Sequence, residues 1–252
     1  MHAKQENRPC KFVSFSGIDG AGKSTQIANL RTTLQDAGLR VLLVTFWDDV
    51  ARLKRIREGA GHTLFNGDKG VGSPDKPINR RDKNVRSWPM SVVRLGLYFV
   101  DAISLRIAIG KALRSGADFV ICDRYIYDEL ANLNLRNPAA RGYVRLMMRL
   151  VPRPDVSYFL DADPVAARAR KPEYPLDFLY ISRASYLTLI ELVGGITVIP
   201  PMSIKNAERQ VMHHALRLLS SERIQSQSAE NLVGEGRRLR PAPLKAVRHF
   251  RA

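Results

Sequence analysis

The chain reads as an α/β protein: a doubly wound sheet of five parallel strands flanked by helices. Two observations predict this. Short β-rich runs alternate with longer helical patterns, as βαβ units do. Runs such as Val41-Leu-Leu-Val and Phe119-Val-Ile-Cys are apolar throughout, which suits parallel strands buried on both faces rather than half-exposed ones. In such a sheet, ligands collect at the carboxyl ends of the strands.

The elements follow in order. Lys11–Ser16 is a short buried strand, and Ser24–Gln35 a helix joined to it by a glycine-rich turn. Arg40–Phe46 is the second strand. Gly59–Pro89 then breaks the pattern: it holds Gly59-Ala-Gly, Gly67, Gly70, Gly72, Ser73-Pro and Lys76-Pro, with little hydrophobic periodicity. A segment of that length in a compact domain is either functional or disordered. Met90–Arg114 is a long helix, Asp118–Cys122 the third strand and Ala140–Leu150 a helix. Val156–Leu160 and Ile196–Ile199 are the last two strands, with helices over Pro164–Arg170 and Leu176–Val193 between them and a final helix over Ile204–Ser220. The expected organisation is an N-terminal extension (1–10), one domain (11–220) carrying a long basic insertion (59–89), and a basic flexible tail (221–252).

Composition agrees with one globular domain. Of the 252 residues, 45% are hydrophobic and 25% charged, both ordinary values. No apolar run approaches the roughly 18 residues that span a bilayer. Met1–Pro9 is polar and mixed in charge, unlike a signal peptide. The two cysteines, Cys10 and Cys122, stand in or beside buried strands and read as small core residues in a reducing compartment. The expectation is a cytoplasmic protein. Its formal net charge of +16 implies an acidic partner: a small polyanion, an anionic membrane surface or nucleic acid. Ala51–Met90 alone carries ten Lys/Arg against four acids. No nucleic-acid-binding motif accompanies this charge.

The turn after the first strand carries the chemistry. Gly17-Ile-Asp-Gly-Ala-Gly-Lys-Ser-Thr25 matches the phosphate-wrapping pattern G-x-x-x-x-G-K-[ST], in the required strand–loop–helix context. Gly17, Gly20 and Gly22 permit positive φ and close approach to a ligand. The loop from Gly17 through Asp19, Gly20, Ala21 and Gly22 to Thr25 would present consecutive N–H groups, with a helix dipole behind them. Lys23 would reach the β- and γ-phosphates of ATP and Ser24 would bind Mg²⁺. The second signal is Val120-Ile-Cys-Asp123-Arg124-Tyr125, a strand ending in an acid at the sheet's active edge. Asp123 there holds or orients Mg²⁺, or takes the proton of an attacking hydroxyl. Arg124 clamps phosphate. The bland alternative is that Asp123 caps the next helix and Arg124 makes an ion pair.

These two motifs together resemble the thymidylate kinase family of nucleoside monophosphate kinases, which carry the P-loop NTPase-type sheet. Tyr158-Phe-Leu-Asp161-Ala-Asp163-Pro-Val-Ala-Ala-Arg168 resembles that family's fourth strand and lid, so the resemblance covers about Lys11 to Ser220. It implies transfer of the γ-phosphoryl of ATP, with Mg²⁺, onto dTMP or a similar nucleotide. Lys23 and Ser24 would then serve ATP and the metal, Asp19 and Asp123 would lie near metal and acceptor phosphate, and Arg124 would hold that phosphate. Trp47, Tyr98, Phe99, Tyr125 and Tyr127 are aromatics able to stack on a base or to serve as core; the resemblance favours Tyr98 and Phe99, and Tyr125 beside Arg124 is expected with them at the acceptor. Arg168 and Arg170, followed by Lys171, are either lid cations for the transferring phosphoryl or a solvated helix end. The resemblance also allows a homodimer.

The chain departs from the family pattern in three places. Thr45-Phe-Trp-Asp-Asp49 stands where the family has an Arg-containing acceptor loop and Glu-Pro. Tyr98-Phe-Val-Asp101-Ala102 lacks the arginine that follows the Asp. The lid is short. A P-loop kinase acting on a deoxynucleoside or sugar phosphate, or an ATP-binding regulatory or nucleic-acid-associated protein, therefore stand as alternatives.

Overall fold

The computed structural model describes residues 9–46 and 88–220. The segment 59–87 of the expected basic insertion, the tail 221–252 and Trp47 lie outside the described residues. The chain divides into two units, Met1–Met212 and His213–Ala252. In the second, 213–220 is helical.

Among its described residues the first unit holds five strands: β1 (Lys11–Ser16), β2 (Val41–Thr45), β3 (Phe119–Asp123), β4 (Val156–Leu160) and β5 (Ile196–Ile199). Every pairing between them is parallel, in the order β2-β3-β1-β4-β5. Its described helices are α1 (Lys23–Asp36), α2 (Trp88–Leu113), α3 (Ile126–Leu130), α4 (Pro138–Leu150), α5 (Pro164–Arg170) and α6 (Leu176–Val193), followed by α7 over 204–212. The α/β doubly wound sheet read from the sequence is the observed one, with boundaries moved by a residue or two. Only α3 has no counterpart in the sequence reading, since a single helical turn gives no periodicity to detect.

Both faces of the sheet are covered, which is why the strands read as unbroken apolar runs. Side chains alternate between the faces. Phe12, Val120, Cys122 and Phe159 join one cluster with residues of α2, α3, α4 and α6, such as Leu105, Ile126, Met147 and Leu189. Their buried neighbours Val13, Phe15, Ile121 and Tyr158 lie outside that cluster. There the Phe15 and Tyr158 rings stack 4.9 Å apart, and Tyr158 Oη donates to the Val211 carbonyl. α1 and α7 are linked by Gln26 Nε2 donating to the Ile204 carbonyl and Asn29 Nδ2 to Glu208. Neither cysteine forms a disulfide, and the buried Cys122 donates its Sγ–H to the Arg124 carbonyl.

Because β1 lies directly beside β3, the loop leaving β1 and the residues ending β3 share one edge of the sheet. Phe15 of β1 pairs with Asp123 of β3. The order of the strands, not their distance in sequence, builds the site.

Candidate active site

The loop from Gly17 to Gly22 leaves the carboxyl end of β1 and enters α1 at Lys23. Gly22 is the N-cap and offers no side chain, and the first turn of α1 carries no acid. The first N–H groups of α1 are thus left for a ligand rather than capped from within. Two glycines are required by geometry. Gly17 has φ 149°, and a Cβ there would stand 2.6 Å from the Leu160 carbonyl oxygen; Gly20 has φ 82°, and its Cβ would stand 2.2 Å from that of Ala167. The loop is pressed between the end of β4 and the end of α5.

Lys23 is buried, and its Nζ donates to the carbonyls of Gly17 (2.7 Å) and Ile18 (3.0 Å). Burial lowers its pKa from 10.5 to about 8, helped by the Arg124 charge and opposed by the carboxylates of Asp128, Asp19 and Asp123. Ser24 and Thr25 are exposed at the start of α1.

On the β3 side the chain turns sharply. Arg124 has φ 66°, the single described non-glycine residue in the left-handed region. Such a conformation persists only where its surroundings hold it. Here its N–H donates to the Phe15 carbonyl, and its guanidinium bonds Asp19 at 2.5 Å and Asp128 at 3.3 Å. Asp19 and Arg124 are 105 positions apart in sequence. Burial acts to raise the Asp19 carboxyl, but the charges of Arg124, Lys23 and Lys171 outweigh it and hold the group below its ordinary value.

Asp128 anchors this arrangement. One of its oxygens accepts from Ser16 Oγ (2.6 Å) and the Tyr125 N–H (3.1 Å). The other accepts from Arg124 and from Tyr186 Oη at 2.8 Å. A carboxylate accepts about four hydrogen bonds, so Asp128 is fully satisfied. The sequence reading missed both Asp128 and Tyr186. For Asp128 a signal existed, because an acid four residues after an arginine is an i,i+4 pair. Tyr186, 58 positions from Asp128, had none.

Asp123 ends β3 beside the loop, and its carboxylate has no hydrogen-bond partner among the described residues. Burial raises its carboxyl above the ordinary range; Arg124 and Lys23 oppose the rise and Asp128 and Asp19 add to it. Asp123 does not cap α3: the N-cap residue there is Tyr125, whose N–H donates to Asp128. The ion-pair alternative for Arg124 is realised, with two carboxylates.

The lid region meets the loop. Arg170 Nε donates to the Gly20 carbonyl (2.8 Å), and Lys171 Nζ lies 3.9 Å from Asp19 and 3.3 Å from Glu173. Arg168, half-buried on α5, has no such partner among the described residues. The other two acids of this stretch are structural. Asp163 accepts from the Ala166 N–H to cap α5, and Asp161 takes both forks of Arg183 at 2.6 and 2.7 Å.

The expected aromatics do not form one group. Tyr125 is wholly buried: its ring packs edge-on against Phe12, and its hydroxyl donates to the Pro152 carbonyl. It is core, which corrects the expectation that it stacks on an acceptor. Tyr98 is buried in the main core cluster, while Phe99 is exposed, since neighbouring helical residues point about 100° apart.

A metal at this edge has a suitable set of hard oxygens. The Ser24 hydroxyl is exposed, and the Asp123 carboxylate has no partner among the described residues. Mg²⁺ usually takes one or two protein oxygens and completes its shell with phosphates and water.

The chain is 30% identical over 189 residues to a probable thymidylate kinase of Staphylothermus marinus, covering 71% of this chain and 81% of that one. It is 27% identical over 220 residues to a probable thymidylate kinase of Archaeoglobus fulgidus, covering 82% and 97%. The fold matches the crystal structure of thymidylate kinase from Ehrlichia chaffeensis with a TM-score of 0.54 at 19% identity, over 82% of this chain and 98% of that one. No family model matches the chain. Among the described residues no helix is long and apolar enough to cross a membrane.

Proposed function

The chain belongs to the thymidylate kinase family of nucleotide kinases, and we propose that it transfers the γ-phosphoryl group of ATP to dTMP at the edge shared by β1 and β3. The observation that carries the reading is the contact between Asp19 of the phosphate loop and Arg124 at the end of β3, which brings both motifs to one point.

In this reading the N–H groups of the loop and of the first turn of α1 hold the phosphates of ATP, and Lys23 leaves the Gly17 and Ile18 carbonyls to meet them. Ser24 and Asp123 hold Mg²⁺, which when bound offsets charge on the β- and γ-phosphates. Asp123 also orients the attacking acceptor phosphate. Arg124 uses the N–H donors not taken by Asp19 and Asp128 to hold that phosphate in line. Arg170 and Lys171 place positive charge beside the loop, where charge develops during transfer. The site residues thus retained from the sequence are Gly17, Asp19, Gly20, Ala21, Gly22, Lys23, Ser24, Thr25, Asp123, Arg124, Arg170 and, less directly, Arg168 and the exposed Phe99.

The test is ADP formation from ATP and Mg²⁺ with dTMP, thymidine and hexose phosphates offered singly. Turnover that depends on dTMP supports the proposal. Turnover with one of the others alone moves the acceptor to that class, the reading favoured by Ala102 standing where the family has arginine. Binding of ATP without turnover on any acceptor points to a regulatory protein.

The lowered Lys23 pKa gives a second expected result. Free protein at pH 8.5 holds Lys23 largely neutral, because burial puts its pKa at about 8. Phosphate charge beside the ammonium raises that pKa again. ATP binding at pH 8.5 is therefore expected to take up a proton, and at pH 6.5 not to. Calorimetric titration in two buffers of different ionisation enthalpy measures this. Equal apparent enthalpies in both buffers at pH 8.5 would contradict it.

The same shift fixes the sign of a stability effect in the free protein. The unfolded chain holds its Lys23 proton up to about pH 10.5 and the folded one only to about pH 8. This group's contribution therefore becomes more favourable as pH rises between those values.

A further inference from the structure

A second recess lies away from the phosphate loop. It has a volume of about 500 Å³, within the range of about 300–1,000 Å³ usual for small-molecule sites. Its floor includes Ser157 near the start of β4, and Pro154 and Gly195 lie just before β4 and β5. It is therefore at the amino end of these strands, whereas the phosphate loop leaves the carboxyl end of β1. It shares no lining residue with the site above.

The lining is ordered by helix periodicity. On α4, Val144 and Met148 form one i,i+4 row, and Arg145 and Arg149 form the neighbouring row. Arg153, from the loop after α4, adds a third guanidinium, and Leu192 and Val193 at the end of α6 close the apolar side. No carboxylate lines the recess, and none of the three arginines has a hydrogen-bonded or ionic partner among the described residues. An arginine row with no acid partner beside an apolar wall matches a ligand that is anionic at one end and apolar at the other.

The floor adds an independent sign. Tyr127 Oη and Ser157 Oγ, at 5% and 4% exposure, are 3.1 Å apart and bond only to each other. Two hydroxyls carry two protons and their mutual bond uses one, so a buried O–H donor remains without an acceptor. Buried donors are rarely left so, and this one lines an open recess. The Arg153 charge reaches the same point: burial raises the Tyr127 phenol, and the Ser157 bond and Arg153 oppose the rise.

We infer that this recess is a second binding site, for a phosphorylated ligand with a flat apolar body, of the nucleoside polyphosphate class. The three guanidiniums take the phosphates, the Val144, Met148, Leu192 and Val193 wall takes the ring system, and the free hydroxyl proton reads an acceptor on the ligand. The site does not depend on which acceptor the kinase uses.

Trinitrophenyl-ATP, whose fluorescence rises in apolar surroundings, is the probe. Wild-type protein is expected to bind one equivalent at the phosphate loop and one in the recess. Lys23→Met should weaken the first and leave the second unchanged. Arg145→Ala/Arg149→Ala/Arg153→Ala should lose the second while turnover and thermal midpoint stay near wild type, since these arginines are exposed. Met148→Trp, which fills the recess and keeps every charge, should lose the same equivalent. Ser157→Ala should weaken it roughly two- to tenfold. A single equivalent on wild-type protein, or a second that survives either the arginine variant or Met148→Trp, would overturn the proposal.

Discussion

Lys23→Met is expected to lower turnover by about 10²–10³, the usual effect of removing one donor that stabilises transition-state charge, while the protein stays folded. The side chain is buried, but what its ammonium contacts are two carbonyl oxygens of its own loop. Methionine fills nearly the same volume without an ammonium that burial already disfavours, so the loss in stability should be small. The Gly17 and Ile18 carbonyls lose one donor each, which is the main cost to the free protein. The distinguishing readout is a fall in kcat with the denaturation midpoint held. Turnover near wild type in folded Lys23→Met protein would remove the phosphate loop from the reaction and the kinase reading with it.

Asp128→Ala should have the largest effect on stability, about 3–5 kcal/mol, the cost of stripping one partner from a buried charge. Four donors lose their acceptor at once: Ser16 Oγ, the Tyr125 N–H, Arg124 and Tyr186 Oη. Arg124 sits in a left-handed conformation with the guanidinium held on two sides, so releasing one side also frees the residue proposed to grip the acceptor. Equilibrium urea unfolding measures the first consequence. The second is read with Asp128→Asn, which keeps the shape but not the charge. It should raise the acceptor KM more than the ATP KM. A loss below about 1 kcal/mol for Asp128→Ala would mean that the network contributes no more than an exposed ion pair.

The sequence by itself determined the local chemistry. The strand–loop–helix pattern at Lys11–Gln35 was legible because strand, glycine turn and helix are each set by neighbours in the chain. The structure finds positive φ at Gly17, Gly20 and Gly22. The parallel, doubly covered sheet was legible from apolar runs, because burial on both faces leaves no room for polar alternation. Met90–Arg114 and Leu176–Val193 were found as helices for the same local reason.

What only the tertiary structure decided is who meets whom. The strand order sets β1 between β3 and β4, and that places Asp19 on Arg124 and Gly20 under the carbonyl of Ala167. Helix packing brings Tyr186 of α6 to Asp128, and packing against Phe12 with a hydrogen bond to the Pro152 carbonyl buries Tyr125, which was expected at the acceptor. Asp161 and Asp163 read as one motif in sequence, yet one meets Arg183 and the other caps α5. The physical reason is range. Propensity, periodicity and backbone conformation act over a few residues and are written in order along the chain. Ion pairs and hydrogen bonds at the site act between segments that the sheet brings together, and sequence spacing holds no record of that distance.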